Sequence, residues 1–346
     1  MSGSQWDEIT SFANLCAAAR RAALGKRGVR GAARFLERLE PEALALQREL
    51  LGWSWRPSVP TTFVIHDPKT REITAAPFRD RVVHHALIDP LEALFDAALV
   101  PQTFACRRGK GMHRALGHAR ALVRSHSHFL KLDVEACFAS IEHEIVLKTL
   151  RELDLEQEVL RLSARILGGA GGRLGIGLPI GNLTSQWFAN LVLGRLDRFV
   201  LALPGNRGYA RYMDDCVLFA DDKQVLRDAH GFVEGFLEQE LHLRLKSRAT
   251  ILAPVSQGLP FLGWRVYRGT TRLRPENVRR TRRRLAHRAW ELRAGRSGAE
   301  RYLACARSIV AHLEHGDTRE LRRSLLAASF VQEHELGSGS QAPPTA

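Results

Sequence analysis

Three stretches of the sequence predict an α/β (α+β) chain with an antiparallel sheet and separate helical regions. The first is Arg211-Tyr212-Met213-Asp214-Asp215-Cys216-Val217-Leu218-Phe219, in which two acids separate a strand-like run, Tyr209 to Tyr212, from an apolar one, Cys216 to Ala220. It reads as a tight hairpin with paired acids at its tip. The second is the apolar run Phe129 to Leu132 ending in Asp133, followed by Cys137, Phe138 and Ile141 on one helical face. The third spans 275–330, where Val278, Leu285, Ala289 and Leu292 share a face and Arg280, Arg283 and Arg284 project opposite. With 346 residues, 45% of them hydrophobic, the chain is too long for one minimal domain, and two or three subdomains are expected.

An isolated Asp-Asp is usually a solvated turn, and a strand-end Asp alone is a helix cap about as often as not. Together they suit a different chemistry. Hard divalent cations prefer carboxylate oxygens, and two-metal phosphoryl transfer needs carboxylates from separate segments to hold ions about 3.5–4 Å apart. Tyr212-Met213-Asp214-Asp215 resembles the catalytic hairpin of reverse transcriptases. Asp133 and Asp214 are the expected bridging ligands, Asp215 closes the site, and the Val134 backbone carbonyl adds a ligand. Two Mg²⁺ ions are expected, with Mn²⁺ as a substitute. One would activate a 3′-hydroxyl and the other stabilise the leaving pyrophosphate.

Composition agrees with a polyanionic partner. The formal net charge is +14 and the isoelectric point about 10.3. From Arg265 to Arg323 there are seventeen Arg, no Lys and six acids, so most of the excess lies near the C-terminus. Guanidinium forks favour bidentate phosphate contact. Five scattered cysteines without Cys-x-x-Cys spacing argue against zinc and against a disulfide framework, and imply a reducing cytoplasm. No apolar run is long enough to span a bilayer, and no signal peptide is read.

Taken in order, residues 1–55 read as a helical extension. The apolar faces fall on Trp6, Ile9 and Leu15 and on Phe35, Leu39, Leu46 and Leu50, ending at Trp53-Ser54-Trp55-Arg56-Pro57. Thr61 to Ala75 reads as a β-hairpin whose Lys69 and Arg71 would grip an incoming triphosphate. A helix follows from Pro77. Its adjacent His84 and His85 point different ways and read as packing or capping residues. Phe104 to Leu116 is a basic glycine-rich turn in which Arg107, Arg108 and Lys110 would contact the template strand. Gly168 to Gly172 reads as a flexible loop. Beyond it, Gly181 would allow close approach to a base pair, and Ser185 and Gln186 would hydrogen-bond to template or sugar. Residues 337–346, rich in Gly, Ser and Pro, read as a disordered tail.

Within Gly175 to Leu191 the chain carries Ile180-Gly181 and Ser185-Gln186 where retroviral and intron enzymes carry Gln-Gly and Ser-Pro. Ile180-Gly181-Asn182-Leu183-Thr184-Ser185-Gln186, with Ile9 to Leu15 and Pro77 to Leu87, is similar to reverse transcriptases of diversity-generating retroelements over roughly residues 5–295. The resemblance implies a right-hand polymerase: fingers at 56–130, a palm at 131–260 with a fingers-side insertion near 150–185, and a primer grip and helical thumb at 261–330. Residues 331–346 form the tail. It implies Phe138 as the aromatic that excludes a 2′-hydroxyl, and Ile180 and Gly181 beside the incoming nucleotide. Tyr212 and Met213, the primer grip Phe261-Leu262-Gly263, and thumb residues Arg280, Arg283 and Arg284 are expected on template and primer. The usual motif lysine is replaced by Ala249, leaving Lys246 or Arg248 for its role. RNA template, DNA or RNA primer and dNTPs are the implied partners, together with a small basic helical accessory protein. Error-prone, adenine-directed cDNA synthesis feeding retrohoming is the implied outcome. A phage-defence or group II intron-type reverse transcriptase and a maturase-like RNA-binding protein remain as alternatives.

Overall fold

The computed structural model describes residues 3–66, 70–169, 175–205 and 208–325. Lys69, most of the glycine loop and the tail lie outside the described residues. The chain divides into two compact units, one formed by 1–111 and 130–252, the other by 112–129 and 253 onward.

The first unit opens with α1 (Gln5–Thr10), α2 (Phe12–Ala22), α3 (Arg30–Glu37) and α4 (Leu39–Leu51). Ser4 and Ser11 cap the first two helices through their hydroxyls. Glu156 accepts from Ser4 Oγ at 2.7 Å, Gln5 N at 2.8 Å and Trp6 N at 2.9 Å, tying the extension to the body. These bonds, Ser4 foremost, hold its carboxyl below the usual range. The hairpin β1 (Thr61–Ile65) and β2 (Arg71–Ala75) pairs antiparallel, Ile65 opposite Arg71. Next comes α5 (Phe78–Ala97), whose apolar stripe packs on α2. His84 is buried within it and His85 is half-buried.

The second unit contributes α6 (Met112–Ser125), and β3 (His128–Asp133) passes from it back into the first. There follow α7 (Cys137–Ser140), α8 (His143–Arg151), α9 (Gln157–Gly168), α10 (Leu183–Ala202), β4 (Gly208–Tyr212), β5 (Asp215–Ala220) and α11 (Lys223–Glu240). With β6 (Ile251–Pro254) they complete a sheet in the order β4-β5-β3-β6. Cys216 to Ala220 of β5 are all buried, because helices cover this sheet rather than water. α10 is buried nearly all round, as its run of apolar residues requires.

In the second unit β7 (Leu259–Phe261), β8 (Trp264–Val266) and β9 (Thr271–Leu273) form a three-stranded antiparallel sheet. α12 (Pro275–Arg293) and α13 (Ala299–Leu313) pack together, and Pro275 starts α12 where a missing N–H costs nothing. Leu285 and Ala289 are the buried positions of α12, while Arg283 and Arg284 face solvent. The α/β class with antiparallel sheets is therefore the one the sequence predicts. No described helix is long and apolar enough to cross a membrane.

Candidate active site

The acid-bearing hairpin forms, with one change. Tyr212 pairs with Asp215, so the turn is Met213-Asp214 and Asp215 is the first residue of β5. The two acids are not both at the tip, because a two-residue turn holds one of them and the strand claims the other. Met213 takes φ 55°, a left-handed conformation unusual for a side chain of its size.

What holds that turn is a buried polar cluster the sequence reading did not anticipate. Arg211 is 1% exposed and Asp197 fully buried. Asp197 accepts from Arg211 Nε and Nη2, each at 2.6 Å, from the Tyr209 hydroxyl at 2.7 Å and from Thr103 Oγ1 at 2.7 Å. Arg211 Nη1 donates onward to Asn190 Oδ1 at 2.9 Å and to the Met213 carbonyl at 3.0 Å. One bidentate ion pair thus reaches from α10 through β4 to the turn carbonyl beside Asp214. Burial alone would weaken Arg211's hold on its proton, but the Asp197 charge reverses this and raises it. Burial and the same charge push the Tyr209 hydroxyl well above its ordinary value. The available signal was an Arg and an Asp inside otherwise apolar runs. Such residues are rarely buried unless paired.

Asp133 ends β3, half-buried, and its carbonyl accepts from Lys246 N at 2.8 Å. Val134 is buried and bridges Leu245. Burial, and then the Asp133 charge, raise the Asp214 carboxyl above its ordinary value, while Arg71 and Lys131 pull it down. Arg71 and Asp133 are therefore electrostatic neighbours of Asp214. Asp215 is pushed up to about 6, chiefly by burial, despite the Lys131 ammonium 2.7 Å from its Oδ1. Lys131, two residues before Asp133 on β3, was also missed.

No group of three or more His, Cys, Asp or Glu among the described residues is arranged to hold a metal ion. The donor chemistry nonetheless fits a hard divalent cation, since two half-buried carboxylates repel each other and a third leans on Lys131.

The glycine-rich segment before α10 lies against both the hairpin β1–β2 and α7. Thr74 N donates to the Ile180 carbonyl at 3.2 Å, Ala76 N to Asn182 Oδ1 at 3.1 Å, and Leu178 N to the Phe138 carbonyl at 2.6 Å. Gly181 has φ 119°, a backbone conformation that favours glycine, and a β-carbon there would sit 3.1 Å from Ile73 Cγ2, a tight contact. Ile180 is partly exposed, and Phe138 is half-buried against the core.

Several expected strand contacts turn inward. Arg107 is spent on Asp96 at 2.5 Å and on the Val100 and Thr103 carbonyls, because the turn needs these backbone acceptors satisfied. Lys110 Nζ binds the Pro101 carbonyl at 2.8 Å and lies over the Phe104 ring. Ser185 is buried in the first turn of α10. Gln186 is half-buried and lies 3.5 Å from Cys106 Sγ, which also approaches Met213 Sδ at 3.9 Å. Arg108 is exposed, paired with Glu92 at 2.7 Å. In the second unit, Phe261 is buried and Leu262-Gly263 form the β7–β8 turn, both at positive φ. Asn277 Nδ2 donates to the Gly263 carbonyl at 2.8 Å, where a β-carbon on Gly263 would collide with it.

Comparison with known proteins gives the same direction. A family described as reverse transcriptase (RNA-dependent DNA polymerase) matches residues 66–266. Protein YkfC of Escherichia coli is 22% identical over 280 residues, 68% of this chain and 74% of its own. A COX1/OXI3 intron 1 protein of Saccharomyces cerevisiae is 24% identical over 129 residues, 35% of this chain and 16% of its own length. A telomerase structure from Candida albicans aligns at a TM-score of 0.48 and 10% identity, covering 67% of this chain and 50% of that one. The chain thus spans about a sixth of the yeast intron protein and half of the telomerase.

Proposed function

Since the chain belongs to the reverse transcriptase (RNA-dependent DNA polymerase) family, whose match spans more than half of it, we propose that it synthesises DNA on an RNA template. Its α/β fold with antiparallel sheets is consistent with a right-hand polymerase. The observation that carries the reading is the electrostatic coupling of Asp133, at the end of β3, and Asp214, in the β4–β5 turn, with Arg71 as a neighbouring cation. The family implies divalent-cation dependence. Mg²⁺ is the proposed cation, held by Asp133, Asp214, Asp215 and the Val134 carbonyl, and it would supply charge neutralisation at the transferring phosphoryl group. Arg71 would hold the triphosphate, and Phe138 would press on the sugar. Ile180 and Gly181 would border the nascent pair. Lys246 or Arg248 would take the role of the missing motif lysine, and the Lys246 backbone N–H bonds the Asp133 carbonyl.

The finer assignment, to a diversity-generating retroelement, rests on the Ile180 to Gln186 segment. Primer extension tests the first reading. Asp214→Asn should lower kcat by roughly 10³-fold or more while RNA binding persists, and near-wild-type extension would refute the assignment. Sequencing that cDNA tests the second: uniformly low error at all four template bases would remove the retroelement and favour a defence or intron-type enzyme.

A further inference from the structure

Away from the acids, within the first unit, two arginines lie over one indole, and two more sit beside it. Trp53, at φ 54° just beyond α4, stacks on Trp6 with 4.9 Å between ring centroids and 1° between planes. The Arg161 guanidinium lies 4.1 Å over the Trp53 ring, and Arg165 5.3 Å from it. Arg56 and Arg165 both donate to the Trp53 and Trp55 carbonyls, at 2.9 to 3.1 Å. Burial, with the Arg56 and Arg161 charges, lowers Arg165's affinity for its proton. None of Arg56, Arg151, Arg161 and Arg165 has a carboxylate ion pair among the described residues. A cleft of about 410 Å³ opens beside this stack between α8 and α9, walled by Arg151, Arg161, Gln157 and Leu147, with Glu158 its one acid among the described residues.

Arg151 and Arg161 are both exposed on the cleft wall, so it presents two guanidiniums that an anion can bind through charge-assisted hydrogen bonds. Trp53 stacks on Trp6 and carries the exposed Arg161 guanidinium over its ring, and an exposed guanidinium can take a planar ring against it. The cleft volume lies in the range of about 300–1,000 Å³ that accepts small ligands. We propose that this cleft is a second nucleic-acid site. It takes a single-stranded segment, one base stacked on Arg161 and an adjoining phosphate on Arg151. An acidic peptide would satisfy the charge and leave the stacking layer unused. That the strand is RNA, the template beyond its copied part, rests on the polymerase reading above.

The test is binding of a labelled, primer-free oligo(A) RNA, with oligo(dA) alongside, to the full chain and to Arg151→Gln/Arg161→Gln. The variant should bind about tenfold more weakly, with a salt slope shallower by about 0.7 for the lost phosphate contact, and should melt at the parental temperature. Arg161→Lys, which keeps charge but not the plane, should also weaken binding. Unchanged affinity and slope would overturn the proposal, as would an Arg161→Lys chain that binds oligo(A) as tightly as the parent, the result expected of charge without stacking. Tighter oligo(dA) than oligo(A) would overturn the RNA assignment alone. Primer extension on a blunt-ended short template–primer separates the two readings. Parental chain that binds oligo(A) through these arginines but never extends a primer would refute only the polymerase.

Discussion

Replacing Asp197 by Asn removes one negative charge from a site with no solvent access. Asp197 is 0% and Arg211 1% exposed. Two 2.6 Å contacts join them, so the guanidinium would be left buried and uncompensated. Breaking such a pair costs about 3–5 kcal/mol. At about 2–4 °C per kcal/mol for a unit of this size, melting should fall by roughly 6–20 °C. Replacing the whole cluster by apolar residues, as in Asp197→Leu/Arg211→Met/Tyr209→Phe, should recover part of that stability, because no buried charge remains. It should not recover primer extension, because the Arg211 bond to the Met213 carbonyl is gone and Asp214 loses its anchored turn. Urea denaturation and single-turnover extension on the same preparations give both numbers. An Asp197→Asn chain within about 1 kcal/mol of the parent, or an apolar triple variant with full extension, would refute the positioning role.

Phe138→Ala should admit ribonucleotides, and an rNTP-to-dNTP incorporation ratio unmoved by the change would return Phe138 to a packing role. Changing Arg280, Arg283 and Arg284 to Gln should weaken template–primer binding and flatten its salt dependence by about 0.7–0.9 per lost phosphate contact, read by salt titration. His84, lowered to about 3 by burial, binds its proton only once unfolded between pH 6.5 and 3. Stability should therefore fall with pH through that window, by up to about 1.4 kcal/mol per pH unit. The difference curve against His84→Gln isolates the effect, and parallel curves would show that His84 is not buried neutral.

Local rules made much of this molecule legible. The Tyr209–Ala220 hairpin, the strand ending at Asp133 and the amphipathic face of α12 follow from patterns that recur every two or 3.6 residues, so a short window contains them. Gly181 could be flagged because its need for positive φ belongs to its own backbone. The tertiary structure decided what depends on how the backbone folds around each side chain. Arg107 and Lys110 look like free cations until the carbonyls of Val100, Thr103 and Pro101 close around them. Ser185 looks available until α10 buries it. Arg211 and Asp197, fourteen residues apart, are ordinary polar residues until burial makes each the other's necessary counter-ion. Burial sets the free energy of a charge, and burial belongs to the assembled fold, so the sequence determined which carboxylates could serve the chemistry and the fold decided what holds them there.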